Sequence, residues 1–88
     1  MKLLQGVIFT KVGEQTIVVA AGDATKKFNG MIKLNSSATF IAELMKNEFE
    51  LANVIVAVQK EYGIDQKTAK QAVVSVLEQF KKVGLIEE

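Results

Sequence analysis

The sequence predicts an α+β domain, winged helix-turn-helix-like, with a three-stranded antiparallel sheet followed by three helices. Three observations lead there. Residues 6–34 hold β-branched and aromatic runs broken by glycine turns, the pattern of short strands. From Asn35 the apolar period changes from two to about 3.6, the repeat of a helix. Two of the helical segments then meet at a tight turn, Tyr62-Gly63-Ile64-Asp65, which resembles a helix-turn-helix junction.

The first strand is Gly6-Val7-Ile8-Phe9-Thr10-Lys11-Val12, and Gly13-Glu14 after it suits a type II′ hairpin turn. Gln15 to Ala20 returns antiparallel as the second strand. Gly22 to Gly30 is loop-like, and its pattern does not decide between loop and an extra strand at Thr25 to Phe28. Asn29-Gly30 then provides a turn into the third strand, Met31-Ile32-Lys33-Leu34, which is short enough to belong at a sheet edge.

Asn35, Ser36 or Ser37 can cap the first helix, because its leading amides need a side-chain oxygen. Phe40, Ile41, Leu44 and Met45 share its core face, and the helix should fade near Asn47. The second helix runs roughly from Leu51 to Tyr62 with Leu51, Val54, Ile55, Val58 and Tyr62 on one stripe. Its Ala52–Val56 flank is apolar too, so this helix is expected to be the most buried. Gly63 sits where a left-handed terminating residue belongs. Asp65 caps the third helix, roughly Gln66 to Val83, whose core face is Ala69, Ala72, Val73, Val76, Leu77, Phe80 and Val83. Gly84 stops it, and Leu85-Ile86 should fold back on the body.

Composition narrows the chemistry. Residues 1–88 read as a single domain, with a modest core for its size. Eleven lysines, no arginine and ten acids leave a net charge of +1, which argues against nucleic acid as a partner. There is no cysteine and no histidine, hence no thiolate nucleophile and neither the commonest general base nor the commonest metal ligand. No catalytic residue, metal site or cofactor is expected. The longest apolar run, Ile17 to Ala21, is far too short to cross a membrane, and Met1-Lys2-Leu3-Leu4 is too quickly interrupted for a signal peptide. The expected location is the cytoplasm.

The segment Lys27-Phe28-Asn29-Gly30-Met31-Ile32-Lys33-Leu34-Asn35 resembles the strand-to-helix signature of the coenzyme PQQ synthesis protein D (PqqD) family, whose members are also called RiPP recognition elements. Ser36 to Leu44 is similar to that family's first helix. Its closing half is matched by Glu61 to Asp65, by Val76-Leu77 to Phe80, and by Val83-Gly84-Leu85-Ile86. The resemblance spans about Gly6 to Ile86 and lies in the order and spacing of pieces that are individually common. One departure stands out: Asn47-Glu48-Phe49-Glu50 occupies the junction where the family often carries a Gly and then a capping Thr or Ser.

The resemblance implies a non-catalytic binder of the leader of a ribosomally made precursor peptide. The leader would add as a strand to the third strand, beside the third helix, and be presented to a radical SAM maturase. That points to Met31, Ile32, Lys33 and Leu34 on the strand and to Lys67, Lys70, Gln71, Val74 and Glu78 on the helix. The residues have their own support for this. Lys67, Lys70, Val74, Glu78 and Lys81 are spaced three, four, four and three apart, one helical stripe with a single valine among charges. A solvated face with one stray apolar residue reads equally well from the sequence. The competing functions are a winged-helix nucleic-acid regulator, an enzyme, and a purely structural subunit of the maturase. An exposed edge strand also allows either a monomer or a weak homodimer.

Overall fold

The computed structural model describes residues 1–28 and 30–87. Its elements are β1 (Lys2–Leu3), β2 (Val7–Val12), β3 (Gln15–Ala20), a short 3-10 helix (Gly22–Lys26), β4 (Met31–Leu34), α1 (Ser36–Leu44), α2 (Leu51–Tyr62), α3 (Gln66–Lys82) and β5 (Ile86–Glu87). The three expected strands are β2, β3 and β4, an antiparallel sheet in that order with β4 at an edge.

The β2–β3 hairpin closes on two residues, with Val12 opposite Gln15. Gly13 takes φ +63°, and no residue other than glycine has a positive φ among the described residues. Positive φ at the first turn position alone is what a type II′ turn requires, so only glycine fits there without strain. Alternation then sorts the sheet. Phe9, Val18 and Ile32 face each other across the inner side, where Val18 is fully buried. Ile8, Val19 and Met31 form the matching row on the outer side, and Ile8 and Met31 are exposed. The far half of β2 (Thr10, Lys11, Val12) is exposed throughout, so the hairpin tip projects from the body.

Helix boundaries follow their caps. The Asn35 side chain accepts a hydrogen bond from the Ala38 amide at 2.9 Å, and Asp65 accepts one from Thr68 at 2.9 Å. Glu50 precedes α2 with no side-chain cap, as the departure at that junction implied. Packing therefore sets where α2 begins: Phe49 is buried, and its amide donates to the Met1 carbonyl at 2.8 Å. Gly63, left-handed at φ 62° and ψ 38°, ends α2.

Three features differ from the sequence reading or settle what it left open. The first helix ends at Leu44, short of Asn47. The undecided stretch after β3 folds into the 3-10 helix, with Ala24 buried beneath it and Phe28 half-buried against the core. The expected Asn29-Gly30 turn involves Asn29, which lies outside the described residues. Finally, α2 is not the most buried helix. Ala52 and Val56 are exposed, Val56 by 47%, because only Val54, Ile55 and Val58 on this helix are buried. The central element is α3, which buries Ala69, Val73, Val76, Leu77 and Phe80.

The ends of the chain pair with each other, β1 antiparallel to β5, which local pattern did not announce. Leu3 donates to the Met45 carbonyl at 2.8 Å and Leu4 to that of Leu85 at 2.9 Å, so the first strand ties α1 to the tail after α3. Leu85 is fully buried, and the expected fold-back of the tail is this closure.

Candidate functional site

Strand β4 presents two different surfaces. Ile32 and Leu34 turn inward, and Leu34 is 2% exposed, so these side chains belong to the core. Met31 and Lys33 turn outward, and Met31 is 62% exposed. What Ile32 and Leu34 offer a ligand is therefore main chain alone. Antiparallel pairing directs the N–H and C=O groups of alternate residues toward the partner strand. With β3 on one side of β4 and no strand on the other among the described residues, two of its four residues leave their main-chain groups available.

Strand β2 is the other edge of this sheet, but it lies in the projecting hairpin. Strand β4 instead packs on β3 and α1, while α3 packs on α2, α1 and β5. Helix α1 is thus the common neighbour of the two elements on which the site was expected.

On α3, a shallow open depression of about 440 Å³ is lined by Lys70, Gln71, Val74, Ser75 and Glu78. It gathers four of the five helix residues read from the sequence. Lys67, the fifth, is exposed one turn earlier. Val74 is partly buried yet stands apart from the core cluster that takes in Val73, Val76 and Leu77. It is an apolar side chain free of any structural duty in the core. A neighbouring concavity of about 540 Å³ shares Ser75 and Glu78 and continues to Gln79, Lys81 and Lys82, so the concave strip follows the helix. No β4 residue lines the α3 depression.

Ser75 is the residue in this depression that was not among the expected site residues. Its signal was its position, beside Val74 and four residues after Gln71, on the same exposed side of the helix.

Elsewhere, a concavity of about 580 Å³ is walled by residues 2–7 with Lys46 and Glu87, beneath the terminal strand pair. Lys46 there stacks its ammonium 4.4 Å from the Phe9 ring centroid. An apolar cup of about 270 Å³ lies between α1 and α2, lined by Leu44, Phe49, Val54 and Ala57 with Glu48 and Glu50 beside them. No cluster of three or more acidic, histidine or cysteine residues that could hold a metal ion occurs among the described residues. No helix is long and apolar enough to cross a membrane among them.

Fold and surface together define a class: small α+β domains in which a three-stranded antiparallel sheet, with β4 at an open edge, is backed by three helices. The chain belongs to the coenzyme PQQ synthesis protein D (PqqD) family, whose model matches residues 15–86, from the start of β3 into β5. Among solved structures, the fold is similar to that of TbiB1, determined in complex with the TbiA(beta) leader peptide. The TM-score is 0.77 at 16% sequence identity, over 99% of this chain and 95% of that one. No curated protein sequence matches it.

Proposed function

We propose that this chain is a RiPP recognition element: a non-catalytic domain that binds the leader of a ribosomally made precursor peptide and presents it to a radical SAM maturase. The leader adds as a strand to the free edge of β4 and lies toward the exposed face of α3. The observation that carries this reading is the open β4 edge, in a PqqD-family chain that shares its fold with a protein solved with a leader peptide bound.

Strand addition draws its affinity from main-chain hydrogen bonds and its selectivity from alternate side chains. Two available residues on β4 offer up to four such bonds, each worth about 1 kcal/mol net once water is displaced. That is too little for tight binding, and the remainder comes from side chains, with Val74 the apolar contact that α3 supplies. The absence of histidine and cysteine fits a partner that holds the substrate while another protein does the chemistry. The domain works in the cytoplasm as a monomer or weak homodimer, where the leader and a second copy compete for the same edge.

Titration calorimetry against the leader peptides of precursors encoded beside its gene, at low and high salt, tests this. Micromolar or tighter binding that largely survives added salt is the expected result. No binding to any leader, with a salt-sensitive signal for DNA instead, makes the domain a winged-helix regulator.

A further inference from the structure

The residues of the α3 depression are ordered as well as gathered. From the start of the helix toward its end come Lys70, Val74 and Glu78, a cation, an apolar side chain and an anion, each four residues from the next. Four residues of α-helix rise about 6 Å. Two residues of an extended strand advance about 6.6 Å, and those alternate residues point to the same side. An extended peptide lying along α3 therefore keeps three alternate side chains in step with these three helix residues, slipping by only about 1 Å in all.

Resting on the leader-binding reading above, we propose that the segment held against α3 carries an acidic, an apolar and a basic residue at alternate positions. The acid meets Lys70, the apolar residue covers Val74, and the base meets Glu78. Charge complementarity selects this occupant. A depression with lysine at one end and glutamate at the other discriminates between the two orders of charge along a peptide, whereas a uniformly basic face does not. Pairing to β4 fixes which way a bound leader runs, and the asymmetry then selects the order of charge that a leader carries in that direction.

The test uses two synthetic ten-residue peptides of identical composition. One carries glutamate, leucine and lysine at alternate central positions, and the other has the glutamate and lysine exchanged. Fluorescence anisotropy is expected to show the protein preferring one isomer by about fivefold, the scale of two exposed ion pairs. The preference should shrink in 1 M salt, where the screening length falls to about 3 Å. The double variant Lys70→Glu, Glu78→Lys should prefer the other isomer, with unchanged circular dichroism because both side chains are exposed. Equal affinity for both isomers, or a preference that survives the double exchange, overturns the proposal and leaves leader binding intact. Failure of both peptides to bind also overturns it, and the calorimetry against natural leaders then decides separately whether the broader reading falls.

Discussion

Replacing Val74 with glutamate separates binding from folding more cleanly than any other single change. Val74 does not pack with the core cluster, so the substitution should alter stability by no more than about 0.5 kcal/mol, the range of ordinary surface changes. Its effect on binding follows from the surface it still exposes. Full burial of a valine side chain is worth about 1.5 kcal/mol, and Val74 is already partly buried, so a peptide covering the rest gains ~0.5 kcal/mol on the helix side. The peptide's own apolar residue gains a similar amount, for about 1 kcal/mol together. Glutamate forfeits that and places a carboxylate under the ligand, at a further cost of about 1–3 kcal/mol if it loses water without a partner. The sum, about 2–4 kcal/mol, is a loss of roughly thirtyfold or more in Kd. Calorimetry against the leader, with a thermal melt followed by circular dichroism, reads both quantities. A variant that melts like the parent and binds the leader with parental affinity would show that α3 does not contact the peptide at Val74.

Two further predictions concern the fold. Gly6 has φ +99°, its carbonyl accepts from the Ala21 amide at 2.8 Å, and an added Cβ would run into the Ala21 carbonyl oxygen. Gly6→Ala should therefore cost at least about 1–2 kcal/mol from the left-handed backbone alone, lowering Tm by about 5–10 °C; an unchanged melt would refute the strain argument. Asp65 is held below its ordinary 3.8 by hydrogen bonds from Thr68, side chain first and then backbone. A carboxyl lowered in the folded state adds stability above its unfolded value, and that stability is lost as pH falls through the folded value. Asp65→Asn keeps the cap without the titration, so the parent's advantage over this variant should shrink between about pH 7 and about pH 2 in paired thermal melts. A constant difference would mean that the carboxylate charge contributes nothing at this cap.

Local chemistry was legible wherever neighbours in sequence decide structure. Asn35 and Asp65 cap helices, Gly13 turns a hairpin and Gly63 ends α2 because each acts on backbone groups within four residues. Alternation along β4, a property of the strand itself, puts Ile32 and Leu34 on one side and Met31 and Lys33 on the other; packing decides which side is inward. Burial of α2 was misjudged because its apolar content exceeds what its neighbours cover: Val54, Ile55 and Val58 find partners, and Ala52 and Val56 find none. Lys70, Gln71, Val74 and Glu78 were legible as neighbours on one side of α3, because helical spacing is local, and they line one depression.

The sequence by itself determined the order of the three sheet strands and three helices, the caps, the absence of histidine and cysteine chemistry, and the resemblance to the PqqD family. These depend on residue type and short spacing. Tertiary structure alone decided that α3 rather than α2 is the central helix, and that β1 closes on β5 across the whole chain. It also set Val74 apart from the core while Val73 beside it is fully buried. Each of these turns on which distant surface arrives to cover an apolar side chain. Burial is a property of the partner as much as of the residue, and the partner is chosen only when the chain folds.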